Sequence, residues 1–172
     1  ISLSTMIGPA NIGCALFAAD SNTVTNSYLS GSGAGYMGSG ANYNVVSLST
    51  MIGSSTGFQF SGADTNTVTQ SYMSGGTNGV IFYPGSDNNT VSFSTMISNN
   101  SGNPALSLQG SSSNTISSSL IQGSTAVFIT GSTGTVITGS VLVATSTIGT
   151  ALAFAGGSVN LTITTSILLT PS

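Results

Sequence analysis

Asn66-Thr67-Val68-Thr69-Gln70-Ser71-Tyr72-Met73 is a phrase that the rest of the chain repeats at nearly constant intervals. With Val68 as anchor, the pattern of apolar residue, two residues, serine, one residue and a second apolar residue recurs from Ile1, Val24, Val46, Val91, Ile116, Ile137 and Ile163. Ser4, Ser27, Ser49, Ser71, Ser94, Ser119, Ser140 and Ser166 each follow their anchor by three residues, and successive anchors lie 21 to 26 residues apart. Self-similarity at such a period marks stacked repeats, in which each unit buries its apolar face only against its neighbours.

Around each anchor the apolar residue alternates with its neighbours, the period of two that a strand requires. Those neighbours are Thr23 and Thr25, Val45 and Ser47, Thr67 and Thr69, Thr90 and Ser92, Thr115 and Ser117, Val136 and Thr138, and Thr162 and Thr164, so the outer face reads as a hydroxyl ladder. After a bend at the serine a second strand brings Met6, Leu29, Met51, Met73, Met96, Ile121, Leu142 and Leu168 inward. A third strand precedes the next anchor. Its expected inward pairs, ten and eight residues ahead of the anchor, are Cys14 and Leu16, Tyr36 and Gly38, Phe58 and Phe60, Ile81 and Tyr83, Leu106 and Leu108, and Val127 and Ile129, with Leu152 and Phe154 shifted by one.

Between third strand and anchor runs a turn expected to be of fixed length. It carries Gly40, Gly62, Gly85, Gly110 and Gly131, then Asn22, Asn44, Asn66, Asn89 and Asn114 two residues before the anchor. Gly and Asn tolerate the left-handed backbone of such corners, and stacked Asn side chains can hydrogen-bond along a ladder. Thr135 and Leu161 interrupt that ladder in the last two repeats. Length variation is expected between the second and third strands, in segments such as 74–80 and 97–105.

Three strands and about seven rungs of 21 to 26 residues describe an all-β, single-stranded right-handed parallel β-helix, a β-solenoid occupying 1–172 as one domain or as a segment of a longer one. The chain resembles the parallel β-helix repeats of the pectate-lyase-like superfamily: Asn-Thr-Val-Thr-x-Ser-x-Met is similar to the unit N-x-I-x-x-N-x-I, with Ser in place of the second Asn. The resemblance implies the fold and leaves function open, because the superfamily includes lyases, hydrolases, adhesins, phage tailspikes and structural surface proteins.

Composition narrows the field further. The 172 residues include no Lys, Arg, His, Glu or Trp, and the only charged side chains are Asp20, Asp64 and Asp87. No basic footprint for nucleic acid exists, nor a polybasic membrane patch or a cationic clamp. The apolar segment 141–157 is broken by Ser, Thr and Gly and falls short of the roughly 20 residues of a membrane span. Cys14 alone forms no intrachain disulfide.

The three Asp residues each stand four residues before an anchor, and Asp64 and Asp87 belong to adjacent rungs about 4.8 Å apart. Asn42, Ser112 and Thr133 fill the same slot, so turn capping explains the set better than catalysis, and Asp64 and Asp87 are only weak candidates for a metal. No cofactor is expected. Two faces suggest partners instead. The ladder of Thr23, Thr25, Thr67, Thr69, Thr90, Thr115, Thr162 and Thr164 resembles the ice-binding surface of β-helical antifreeze proteins. Ile52, Ile97, Leu120, Val141, Val143, Ile167 and Leu169, on the outer face of the second strand, form a candidate assembly face for a second copy.

The leading expectation is therefore a secreted, non-enzymatic structural protein: a β-helical subunit of an extracellular or cell-surface filament, sheath or adhesin-like stalk, packing on itself. An ice-binding protein and a glycan-binding or glycan-degrading β-helix are the alternatives. The last would need an aromatic, polar groove, which Tyr36, Phe58 and Tyr83 would not provide if they point inward.

Overall fold

Each anchor from Val24 onward sits at the centre of a three-residue strand, and these strands stack in parallel into a seven-stranded sheet: Thr23–Thr25, Val45–Ser47, Thr67–Thr69, Thr90–Ser92, Thr115–Ser117, Val136–Thr138 and Thr162–Thr164. Val24, Val46, Val68, Val91, Ile116, Ile137 and Ile163 lie directly over one another. The computed structural model describes residues 1–171, and it contains no helix among them. No helix is therefore long and apolar enough to cross a membrane.

The second and third strands share a 13-stranded parallel sheet, because Tyr28–Met37 and Thr50–Ser61 run through both. The expected second-strand column is in register from Met6 through Leu29, Met51, Met73, Met96, Ile121 and Leu142 to Leu168. With the anchors and the third-strand residues it forms one continuous apolar core along the coil axis. Each fully buried Leu, Ile, Phe or Met in it contributes roughly 1.5 to 3 kcal/mol.

The bend between the anchor strand and the second strand explains the recurring serine. The residue before it takes positive φ, as in Leu48 (50°), Gln70 (47°) and Phe93 (48°), which turns the chain sharply. The serine then does two jobs. Ser49 Oγ donates to its own Ser47 carbonyl (2.7 Å) and accepts the Ser27 N–H of the neighbouring rung (3.1 Å). Ser71, Ser94 and Ser119 repeat the arrangement, so each buried hydroxyl satisfies a backbone donor that the bend would otherwise leave unpaired.

The asparagine ladder closes the opposite corner in the same manner. Asn44 Oδ1 accepts the Asn22 N–H, Asn66 Oδ1 that of Asn44, Asn89 Oδ1 that of Asn66 and Asn114 Oδ1 that of Asn89, all at 2.8 Å. The amide of Asn66 also donates to the Ala41 carbonyl, at 2.8 Å.

The third strand departs from expectation in two rungs. Gly35 and Met37, not Tyr36 and Gly38, occupy the core columns beside Phe58 and Phe60. Val80 and Phe82 do so in place of Ile81 and Tyr83. The turn that follows is longer by one residue in those rungs, at Gly38 and at Pro84, and a one-residue shift in a strand exchanges its two faces. Tyr36 and Tyr83 consequently face outward.

Candidate functional site

Where the second strand passes into the third, the backbone folds back tightly. A Cβ on Gly53 would lie 1.9 Å from the Thr56 carbonyl oxygen, and one on Gly75 would lie 2.0 Å from that of Asn78, so only glycine fits at either position. A register irregularity between Gly31 and Gly33 widens the same corner. The result is a groove of about 230 Å³ across three rungs, lined by Ala10, Asn11, Ile12, Ser32, Gly33, Gly35, Tyr36, Ser55, Thr56 and Gln59.

The groove combines one aromatic ring with amides and hydroxyls and contains no charged side chain. Tyr36 and Gln59 stand side by side in register on the outer face of the third strand. The Tyr36 ring is braced by Phe17, with centroids 4.9 Å apart and planes tilted by 43°. Gly38 makes room for the pair, since a Cβ there would come within 2.4 Å of the Phe17 ring and 2.6 Å of the Tyr36 ring. Ser55 Oγ meets Thr77 Oγ1 at 3.3 Å on the next rung, which carries the hydroxyl lining onward. Groups that both donate and accept, set beside an aromatic face, suit a polyhydroxylated ligand. No sequence pattern marks this groove, because the variable corner supplies Asn11, Ser32, Ser55 and Thr56 and the longer turn after Met37 sets Tyr36 outward.

The acidic residues lie elsewhere, in the corner before the anchor strand, and they form a capping ladder. Asp20 Oδ1 accepts the Asn42 N–H (2.8 Å), Asn42 Oδ1 that of Asp64 (2.9 Å), Asp64 Oδ1 that of Asp87 (2.7 Å) and Asp87 Oδ1 that of Ser112 (2.6 Å). Among the described residues no three His, Cys, Asp or Glu side chains gather as a metal site, so Asp64 and Asp87 have no third partner.

The threonine ladder falls into two columns of the anchor sheet. Thr23, Thr67, Thr90, Thr115 and Thr162 share one column with Val45 and Val136. Thr25, Thr69 and Thr164 share the other with Ser47, Ser92, Ser117 and Thr138. Several of these hydroxyls bond to one another, as Ser47 to Thr25 and Ser92 to Thr69, both at 3.0 Å. On the second strand, Leu120, Val141 and Ile167 stack outward, with Val143 over Leu169 beside them. Ile52 and Ile97 alternate with Ser30 and Ser74 in the earlier rungs of that second column.

Fold and groove together define a right-handed parallel β-helix with an uncharged polar groove at its variable corner. The chain belongs to the NosD family, described as periplasmic copper-binding protein, whose profile matches residues 2–166. No curated protein matches the sequence. Among solved structures it is similar to the periplasmic alginate epimerase AlgG, at 12% identity and a TM-score of 0.71, over 94% of this chain and 44% of the epimerase. It is also similar to the A-module of the mannuronan C-5 epimerase AlgE4 from Azotobacter vinelandii, at 11% identity and a TM-score of 0.50, over 87% of this chain and 55% of the module. The chain thus spans about half the length of these structures or less, and at such identities the likeness establishes the fold alone.

These comparisons correct the expectation of a non-enzymatic protein. The two β-helices just named are epimerases, so the step from a charge-poor solenoid to a protein without catalysis does not stand.

The copper of the family description does not fit the donor set of this chain. Copper prefers imidazole, thiolate and thioether ligands, and the sequence has no His. Burial raises the pKa of Cys14, with the N-terminal ammonium opposing the shift, and so keeps its sulfur in the thiol form that ligates poorly. Of the five methionines Met37, Met51, Met73 and Met96 are fully buried in the apolar core, where a metal charge would find no counter-ion.

Proposed function

We propose that this chain is the carbohydrate-engaging β-helix of a protein that works outside the cytoplasm, and that the groove around Tyr36 and Gln59 is its contact with a glycan. The observation that carries the reading is the outward position of Tyr36 beside the amides of Asn11 and Gln59 and the hydroxyls of Ser32, Ser55 and Thr56. Sugars present apolar C–H faces to aromatic rings and vicinal hydroxyls to amides, and this groove offers both. Its volume lies below the roughly 300–1,000 Å³ of pockets for drug-sized ligands, which suits a short stretch of a longer polymer. The likeness to alginate and mannuronan epimerases supports a polysaccharide as the partner class, and the periplasmic description of the family supports the location. A finer placement at the cell surface also suits a chain without Lys or Arg, which gives trypsin-like proteases no cleavage site.

Titration of oligosaccharides into the folded protein, followed by NMR or calorimetry, tests the reading. Tyr36→Ala is expected to weaken binding about tenfold, equivalent to roughly 1.4 kcal/mol, with the circular dichroism spectrum unchanged. Equal binding by Tyr36→Ala and the parent would sink the groove assignment.

A further inference from the structure

The charge class of the glycan follows from what the groove lacks. Resting on the carbohydrate reading, we propose that the groove selects neutral glycan, built of unmodified hexose or pentose units, and rejects the polyuronates that the fold's epimerases act on. No lysine, arginine or histidine exists anywhere in the sequence, and the formal net charge is −3. The lining residues Asn11, Ser32, Tyr36, Ser55, Thr56 and Gln59 are all neutral.

A uronate entering this groove would give up carboxylate hydration without meeting a cation, a penalty of several kcal/mol for each ion desolvated without a partner. The field of Asp20, Asp64 and Asp87, two of which already share adjacent rungs, adds a weak repulsion along the coil. No carboxylate lines the groove to share a bridging cation with a uronate.

Hydrogen-bond matching points the same way. A carboxylate only accepts, whereas the hydroxyls of a neutral sugar donate and accept, as do the amides and hydroxyls that line the groove. Elsewhere on the coil such amides are tied down: Asn99 Nδ2 donates to Ser74 Oγ at 2.9 Å, and Gln109 Nε2 to Ser107 Oγ at 3.1 Å. The amides of Asn11 and Gln59 make no comparable bond to a described residue, and since both line the groove they are free to meet a ligand there. Gln59 lies beside Tyr36 on the outer face of the third strand, so the ring and the amide act on one sugar unit or on two in succession.

Calorimetric titration of the whole chain with cellohexaose, mannohexaose and xylohexaose, set against hexamannuronate and hexagalacturonate, at low and at physiological salt, decides the matter. At least one neutral hexamer is expected to saturate the protein with an affinity indifferent to salt and lowered about tenfold in Gln59→Ala, while neither uronate binds. Uronate binding as tight as that of the neutral sugars would overturn the charge selection and leave the groove reading standing. Failure of every sugar to bind a protein with a native circular dichroism spectrum would overturn both.

Discussion

Phe60→Ala is expected to lower the unfolding free energy by about 4 kcal/mol, near the middle of the range for deleting a buried aromatic ring. Phe60 has no solvent exposure, and its ring lies parallel to that of Phe82, with centroids 4.4 Å apart and planes within 5°. Along its own strand it meets Phe58, at 5.0 Å and 59°. Met37 and Phe82 occupy the same column on the adjoining rungs, each held by its own backbone ladder. A cavity opened between them cannot close by a side-chain shift alone, because the rungs are fixed about 4.8 Å apart. Against a total stability of some 5–15 kcal/mol for an ordinary domain, the loss is large. Urea denaturation followed by circular dichroism should show a lower midpoint. Hydrogen exchange should accelerate first in Thr50–Ser61 and Asn78–Tyr83, since each rung contacts only its neighbours. A loss under about 1 kcal/mol, the size of a single methylene deletion, would mean that the ring is not enclosed between the two rungs.

That core was legible in the sequence where turn lengths agree, and it was misread where they do not. Val68, Met73, Phe58 and Phe60 stand at the offsets the repeat predicts, and they line the interior. Gly38 and Pro84 add one residue ahead of Gly40 and Gly85, and the added residue turns Tyr36 and Tyr83 outward. The signal was present in Pro84, whose missing N–H marks the end of a ladder strand. The groove was hidden for a second reason. Asn11, Ser32 and Ser55 belong to the corner whose length changes from rung to rung, so no periodicity aligns them with Tyr36 and Gln59 before the rungs are stacked. The recurrence of Ser49, Ser71, Ser94 and Ser119 was plain, but their service to the N–H of a neighbouring rung depends on a contact 22 to 25 residues away.

Asn66→Leu is expected to cost roughly 3 kcal/mol, because each buried polar group left unpaired costs about 1–3 kcal/mol. Asn66 is buried, and its Oδ1 accepts from both the backbone N–H of Asn44 (2.8 Å) and the Asn44 side-chain amide (3.1 Å). Its own amide donates to the Ala41 carbonyl (2.8 Å) and to Asn89 Oδ1 (3.1 Å). Leucine is nearly the same size, so the loss reports hydrogen bonding and not a cavity. It orphans the Asn44 N–H, the Asn44 side-chain amide and the Ala41 carbonyl, which lie deep in the corner and beyond the reach of water. Asn89 Oδ1 keeps the Asn66 N–H and is spared. The natural interruption of the ladder supplies the reciprocal test. At Thr135 the ladder stops, and Thr135 Oγ1 and the nearby Ser111 Oγ are both buried without a partner. By the pattern in which Asn114 Nδ2 reaches the Ser86 carbonyl, an amide at position 135 reaches the carbonyl of Ser111 and offers its oxygen to the Asn114 N–H. Thr135→Asn is therefore expected to stabilise the coil by about 1 kcal/mol, the usual net gain of a satisfied hydrogen bond. Chemical denaturation of the two variants beside the parent measures both. A ladder that merely decorated the corner would leave Asn66→Leu within about 0.5 kcal/mol of the parent, the spread of ordinary surface substitutions.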